Sequence, residues 1–345
     1  MPDFLSFDGA CRDNFGKLVD KFQQKQRLAI ISTCLRQTFS CSTLEDSSAF
    51  FKMLDQLRAT RKVWPNRTNG AKPRMLAQGP GKQNSRPTAE EAARRLIILR
   101  YLVVRALSAP PREMVDGWFE HWSADDVQDF TQYAEKENEK FWRALHDMGL
   151  WDFVSPDEQH FGSKTIVTVE PQEQFDASWR IESAQILLWA LGLIQELPPY
   201  DEMADHDLLE IIPSENVGGF IHSARLRSRA EIDRARDIAE LWHWRSRTRQ
   251  LIEDGEILPD DEKLKALGFH SYDDIVRFAA RKAAEEGTIS ACIEEDFPAL
   301  GKAYRHLNQS EWMKVGCINI ERHLTLNWLC GYAPGNRWDE TPTDT

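Results

Sequence analysis

Ser178-Trp-Arg-Ile-Glu-Ser-Ala-Gln-Ile-Leu-Leu-Trp-Ala-Leu-Gly-Leu-Ile-Gln-Glu-Leu-Pro-Pro199 is the stretch whose reading decides the fold. From Ile186 to Ile194 no residue is charged or strongly polar. A run of nine residues falls well short of the roughly 20 that cross a bilayer. A helix apolar on every face belongs in a core with other helices packed around it. Pro198 and Pro199 are expected to end it, because proline lacks the donor that the next turn needs.

Helical spacing and capping signals continue outward from this stretch. Thr88 with Glu91 is a capping box, and so is Ser228 with Glu231 at the head of a helix of about 25 residues. Ser123 with Asp126, and Ser271 with Asp274, read as N-caps, while Ser155-Pro156 places proline at a first helical position. Gly149, Gly255, Gly287 and Gly331 are expected to close helices. The final helix should run from about Ser310 to Cys330. Thr165–Val169 is β-like in composition, but a lone strand has no partner and reads as extended loop. These signs predict a mainly-α fold, a multi-helix globular bundle with little or no sheet.

Upstream the composition changes. Phe15, Leu18, Val19 and Phe22, then Phe50, Phe51, Leu54 and Leu57, suggest an N-terminal helical hairpin over residues 1–57. Residues 58–87 contain Pro65, Pro73, Pro80 and Pro87 with Gly70, Gly79 and Gly81, the composition of a linker. Residues 88–345 form the expected all-α domain. Between Leu57 and Ala89 there are eight basic residues and no acidic one, so the rest of a chain of net charge −12 stands at −20. Most of the molecule should repel nucleic acid and anionic lipid. Arg58, Arg61, Lys62, Arg67, Lys72 and Arg74, with the Trp64 indole as a stacking platform, form a candidate nucleic-acid contact.

Cys11, Cys34, Cys41, Cys292, Cys317 and Cys330 show no C-x-x-C spacing and read as reduced, packed thiols. Residues 1–27 carry both signs of charge, and Leu28–Ile31 is too short for a signal core, so a cytoplasmic address is expected. Neither a metal nor a cofactor is expected. No H-E-x-x-H, G-x-S-x-G or phosphate loop is present, and Gly79-Pro80-Gly81-Lys82 lacks the following Ser/Thr. Cys317, His323 and Cys330 are spaced too widely along one helix to converge on an ion, which leaves His323 expected at the surface.

The candidate functional residues are polar groups set in apolar helices: Arg180, Glu182, His243, Glu321, Arg322 and Asn327. A charge in a core must be paired. Arg180 and Glu182 lie two apart, so they point to different faces of a helix and need partners from elsewhere. Arg180 with Glu321 and Glu182 with Arg322 is one solution, which would fix how two helices dock. The alternative is a cleft in which Arg180, Glu182, His243 and Glu321 bind a small ligand or perform acid/base chemistry. A second basic set from Arg225 to Arg249 is interleaved with Glu231, Asp233, Asp237 and Glu240, so local pairing is expected there. Trp338 is too apolar to leave in water, and the tail should fold back over it.

Three separated motifs carry a resemblance. They are Ser178-Trp179-Arg180-Ile181-Glu182 with Leu187–Gly192; Leu226-Arg227, Glu231-Ile232 and Trp242-His243-Trp244; and Asp296-Phe297, Gly301-Lys302, Glu321-Arg322-His323, Leu326–Gly331, Trp338-Asp339 and Thr343–Thr345. Together, over roughly residues 88–345, they resemble the bacterial family called domain of unknown function 4272. The resemblance implies a helical protein with no established activity, cofactor or catalytic residue. The expected function is therefore a protein-interaction module, with a ligand pocket or nucleic-acid binding as alternatives and no membrane partner.

Overall fold

The structure, a computed structural model, describes residues 85–345 apart from 259, 261, 267, 344 and 345. The expected hairpin over 1–57, most of the basic segment, and all seven residues of the candidate nucleic-acid contact lie outside the described residues. The described residues fall in one compact unit, Pro80–Thr345.

Helix α1 (Ala89–Ser108) starts where Thr88 Oγ1 accepts the Glu91 N–H and Glu91 Oε2 accepts the Thr88 N–H. Pro110 and Pro111 separate it from α2 (Arg112–His121). Ser123 caps α3 (Ala124–Asp147), and Gly149 stands beyond its end at φ +66°. The Ser155–Glu158 capping box heads α4 (Pro156–Gly162). Thr165 to Val169 makes a turn and pairs with no strand. Then come α5 (Pro171–Ala190), the short α6 (Leu208–Ile211) and α7 (Val217–Ser223), and the long α8 (Arg229–Glu253) behind its Ser228 cap. After α9 (Glu262–Ala266) and α10 (Tyr272–Glu285), a two-residue hairpin pairs β1 (Pro298–Ala299) with β2 (Lys302–Ala303). Helix α11 (Gln309–Leu329) and two 3₁₀ turns complete the chain. The fold is mainly α.

Four long helices form the centre, with α1 packed on α5, α5 on α11, and α11 on α8. Ile186, Leu187 and Leu188 of α5 are fully buried between α1 and α11. The apolar stretch therefore occupies the core over Ile186 to Ala190, whereas Gly192 and Leu193, beyond the end of the helix, are exposed.

The end of α5 differs from expectation. It stops at Ala190, eight residues before the prolines, where Gly192 takes φ +74° and donates to the Trp189 carbonyl. Leu193 N–H closes on Leu188 O at 2.9 Å, completing a left-handed helix stop that glycine adopts without a Cβ penalty. Arg227 then fastens the frayed end, donating to the carbonyls of Trp189, Ile194 and Gln195. At the other end α5 begins at Pro171, under the Glu170–Glu173 capping box.

The tail folds back as its tryptophan requires. Trp338 is 2% exposed and meets Trp328 edge-on, while the guanidiniums of Arg95 and Arg180 lie over its ring. Asp339 accepts from Ser155 Oγ and the Asp157 N–H, anchoring the tail to the start of α4.

Candidate functional site

The candidate residues separate into two seams, one on each side of α11. Toward α5, Arg180 Nη1 meets Glu321 Oε2 at 2.8 Å, and Ser183 Oγ donates to the same carboxylate oxygen. Arg322 Nε meets Glu182 Oε2 at 2.9 Å, and the second Glu182 oxygen accepts the Ala204 N–H. Both predicted pairs therefore form.

Arg322 is fully buried and spends all five of its N–H donors. Besides Glu182, it donates to the carbonyls of Pro198, Pro199 and Glu202 and to Gln185 Oε1. Pro198 and Pro199, expected as helix breakers, instead present carbonyls that pin the loop after α5 onto α11. Burial pushes the Glu182 carboxyl above its ordinary range, against the Arg322 guanidinium and the Ala204 amide, which favour the charge. All five side chains of this seam are buried, and Arg180, the most exposed of them, is at 9%.

His243 does not join these pairs. It faces the other seam, between α8 and α11, where its Nδ1 lies 2.9 Å from Nδ1 of His323. His323 is fully buried, which corrects the expectation of a surface residue. Its turn of α11 is covered by α8, a tertiary contact that spacing on one helix does not reveal.

The hydrogen bonds fix the tautomers. Asn327 Oδ1 accepts from Arg236 Nε, so its Nδ2 is the donor to Pro342 O and to His323 Nε2. His323 therefore carries its proton on Nδ1 and donates to His243 Nδ1, which leaves the His243 proton on Nε2. Burial lowers the pKa of His243 to about 4 and that of His323 to about 3, with positive neighbours adding to the shift. Both rings are neutral at pH 7.

A third buried charge set was missed by the sequence reading. Asp296 is fully buried and receives Arg245 Nε and Nη2 at 2.7 Å each, along with the N–H groups of Phe297 and Arg305. Burial works to raise the Asp296 pKa, yet Arg245 and the backbone amides outweigh it and hold it below the usual carboxylate range. Local pairing accounts for Arg227–Glu231, Arg236–Glu240 and Arg249–Glu253, but Arg245 reaches a partner 51 residues away. Arg86 of the basic segment likewise pairs with Asp233 at 2.6 Å. In the sequence Asp296 follows Glu294 and Glu295, so nothing local marks it as the buried member of the three acids.

Among the described residues no group of three or more His, Cys, Asp or Glu side chains is arranged to hold a metal ion. Cys330 Sγ donates to Asp233 Oδ1, and burial pushes its thiol up to about 12, so it is no nucleophile. No described helix is long and apolar enough to cross a membrane. A groove of about 640 Å³ lies along α8. Ile238, Leu241 and Trp244 line it, with Asp237 and Glu240 beside them and Glu286 and Thr288 from beyond α10.

No curated protein matches the chain, and no solved structure does. A family model described as domain of unknown function (DUF4272) matches residues 78–257, which span α1 to α8 and hold the first two motifs. The third motif, on α11 and the tail, follows the matched residues. With more than half of its length matched, the chain belongs to the DUF4272 family.

Proposed function

We propose that the chain is a non-enzymatic module that binds another protein through the outer face of α8, and that the bound segment is basic with apolar anchors. The observation that carries this reading is the groove, which sets Ile238, Leu241 and Trp244 among the acids Asp237, Glu240 and Glu286, with Arg234 as the one basic residue lining it. Residues 85–345 hold 29 Lys or Arg against 48 Asp or Glu, an excess that draws a basic partner toward the apolar anchors. Interface hot spots are enriched in tryptophan, which makes Trp244 the expected anchor. A ligand or acid/base site at Arg180, Glu182, His243 and Glu321 has less support, because each of these groups is buried and already hydrogen-bonded inside the bundle.

The test is a titration of the full chain with a helical Lys/Leu peptide, read by fluorescence anisotropy. Leu241→Asp and Trp244→Ala should each weaken binding by at least tenfold. Equal binding by the variants and the parent would place the contact elsewhere, and no binding would remove the basic-segment reading.

A second reading rests on the run of eight basic residues without an acid between Leu57 and Ala89. It predicts salt-dependent retention on a heparin column that disappears when residues 58–86 are deleted. Retention unchanged by the deletion would exclude nucleic-acid binding through this segment.

A further inference from the structure

The α8–α11 seam contains polar side chains that no protein group satisfies. Asn319 is fully buried, and neither its Oδ1 nor its Nδ2 has a hydrogen-bond partner. Ser246 is equally buried, and its Oγ is without a partner, as are the Tyr304 hydroxyl and Arg245 Nη1. Arg245, Ser246 and Tyr304 belong to one neighbourhood, and the helix register brings Asn319 to it. The two helices run antiparallel, with Arg236 against Asn327, His243 against His323, and Arg249 over Trp312. That register sets Asn319, one turn before His323, level with Arg245 and Ser246. The Arg245 guanidinium lies 4.5 Å from the centre of the Tyr304 ring. Burial raises the Tyr304 phenol to about 12, and the Ser246 hydroxyl is the hydrogen-bonding group that opposes that rise first, although the two hydroxyls do not meet within direct hydrogen-bond distance.

Buried polar groups in folded proteins are hydrogen-bonded, to ordered water where protein partners are lacking. We infer that Asn319, Ser246 and Tyr304 together bind an internal water molecule bridging α8 and α11. The chemistry selects a small neutral ligand over an ion. The cations at hand are already paired, Arg245 by bidentate contact with the fully buried Asp296 and Arg249 with Glu253. An amide supplies an NH2 group to donate and a carbonyl oxygen to accept, and each hydroxyl does either, which meets the two to four partners that a buried water requires.

The experiment is a high-resolution crystal structure of the full chain, paired with water–amide NOE measurements in solution. The inference requires a water within 2.7–3.2 Å of Asn319 and of Ser246 or Tyr304. It also requires an NOE from the Asn319 side-chain amide to a long-lived water. Ser246→Ala, which removes a single hydroxyl, should shorten that residence time at least tenfold while leaving the far-ultraviolet dichroism unchanged. Direct bonding of Asn319 to Ser246 or Tyr304 with no solvent between them would overturn the inference. So would a residence time unaffected by Ser246→Ala.

Discussion

His243 and His323 share one hydrogen-bonded proton deep in a helix seam, and both are neutral at pH 7. Their folded-state values, about 4 and about 3, lie below the ordinary histidine range, so between those values and about 6.5 the unfolded chain binds more protons. The stability they contribute is complete above about pH 6.5 and is lost as pH falls toward 4. The slope is about 1.4 kcal/mol per pH unit for each histidine. Urea midpoints measured from pH 7 to pH 5 should fall accordingly, and a His243→Gln/His323→Gln variant should flatten the dependence. An equally steep profile in that variant would remove the pair as the cause. The polar core residues were legible in the sequence as buried charges needing partners, because Arg180 and Glu182 sit among Trp179, Ile181 and Ala184 just before the apolar run from Ile186. The His243–His323 contact was not, since neither ring carries a local signal for the other.

At the level of elements, capping chemistry made helix starts readable. Thr88, Ser123, Ser155, Ser228 and Ser271 all occupy the positions that their hydroxyls suit. Helix ends were harder. Two prolines looked like the stop of α5, but the chain leaves the helix at Gly192 because Arg227, 35 residues later, holds the released carbonyls. Gly192→Ala should cost about 1–2 kcal/mol for forcing a Cβ into the left-handed region. Arg227→Ala should cost about 2 kcal/mol for leaving part-buried carbonyls unmet. Thermal melts of both variants test this, and losses below about 0.5 kcal/mol would mean that neither residue sets the end of the helix. Trp338→Ala, which empties a site between Trp328 and two guanidiniums, should cost about 3–5 kcal/mol by the same measurement. A near-neutral result would mean that the tail does not contribute to the core.

Across the whole molecule, the central row α1–α5–α11–α8 joins residues up to 141 positions apart through buried charge pairs as well as apolar contacts. A fragment of residues 80–345 should melt cooperatively with the helical dichroism of a mainly-α protein; a broad, non-cooperative melt would show that the preceding residues are required. The mainly-α class followed from the patterning because it is a local property. The pairing of α11 with both α5 and α8 was only half legible. The charges on the α5 side announced themselves, whereas the neutral amides and imidazoles on the α8 side resemble ordinary helix surface in one dimension. The central claim is that Glu182 and Arg322 lock α5 to α11 as structure. A double-mutant cycle in urea tests it most directly. Arg322→Met should cost about 3–5 kcal/mol by stranding a buried carboxylate, and adding Glu182→Leu should recover a substantial part of that loss. A single-variant cost below about 1 kcal/mol, or strict additivity of the two changes, would contradict it.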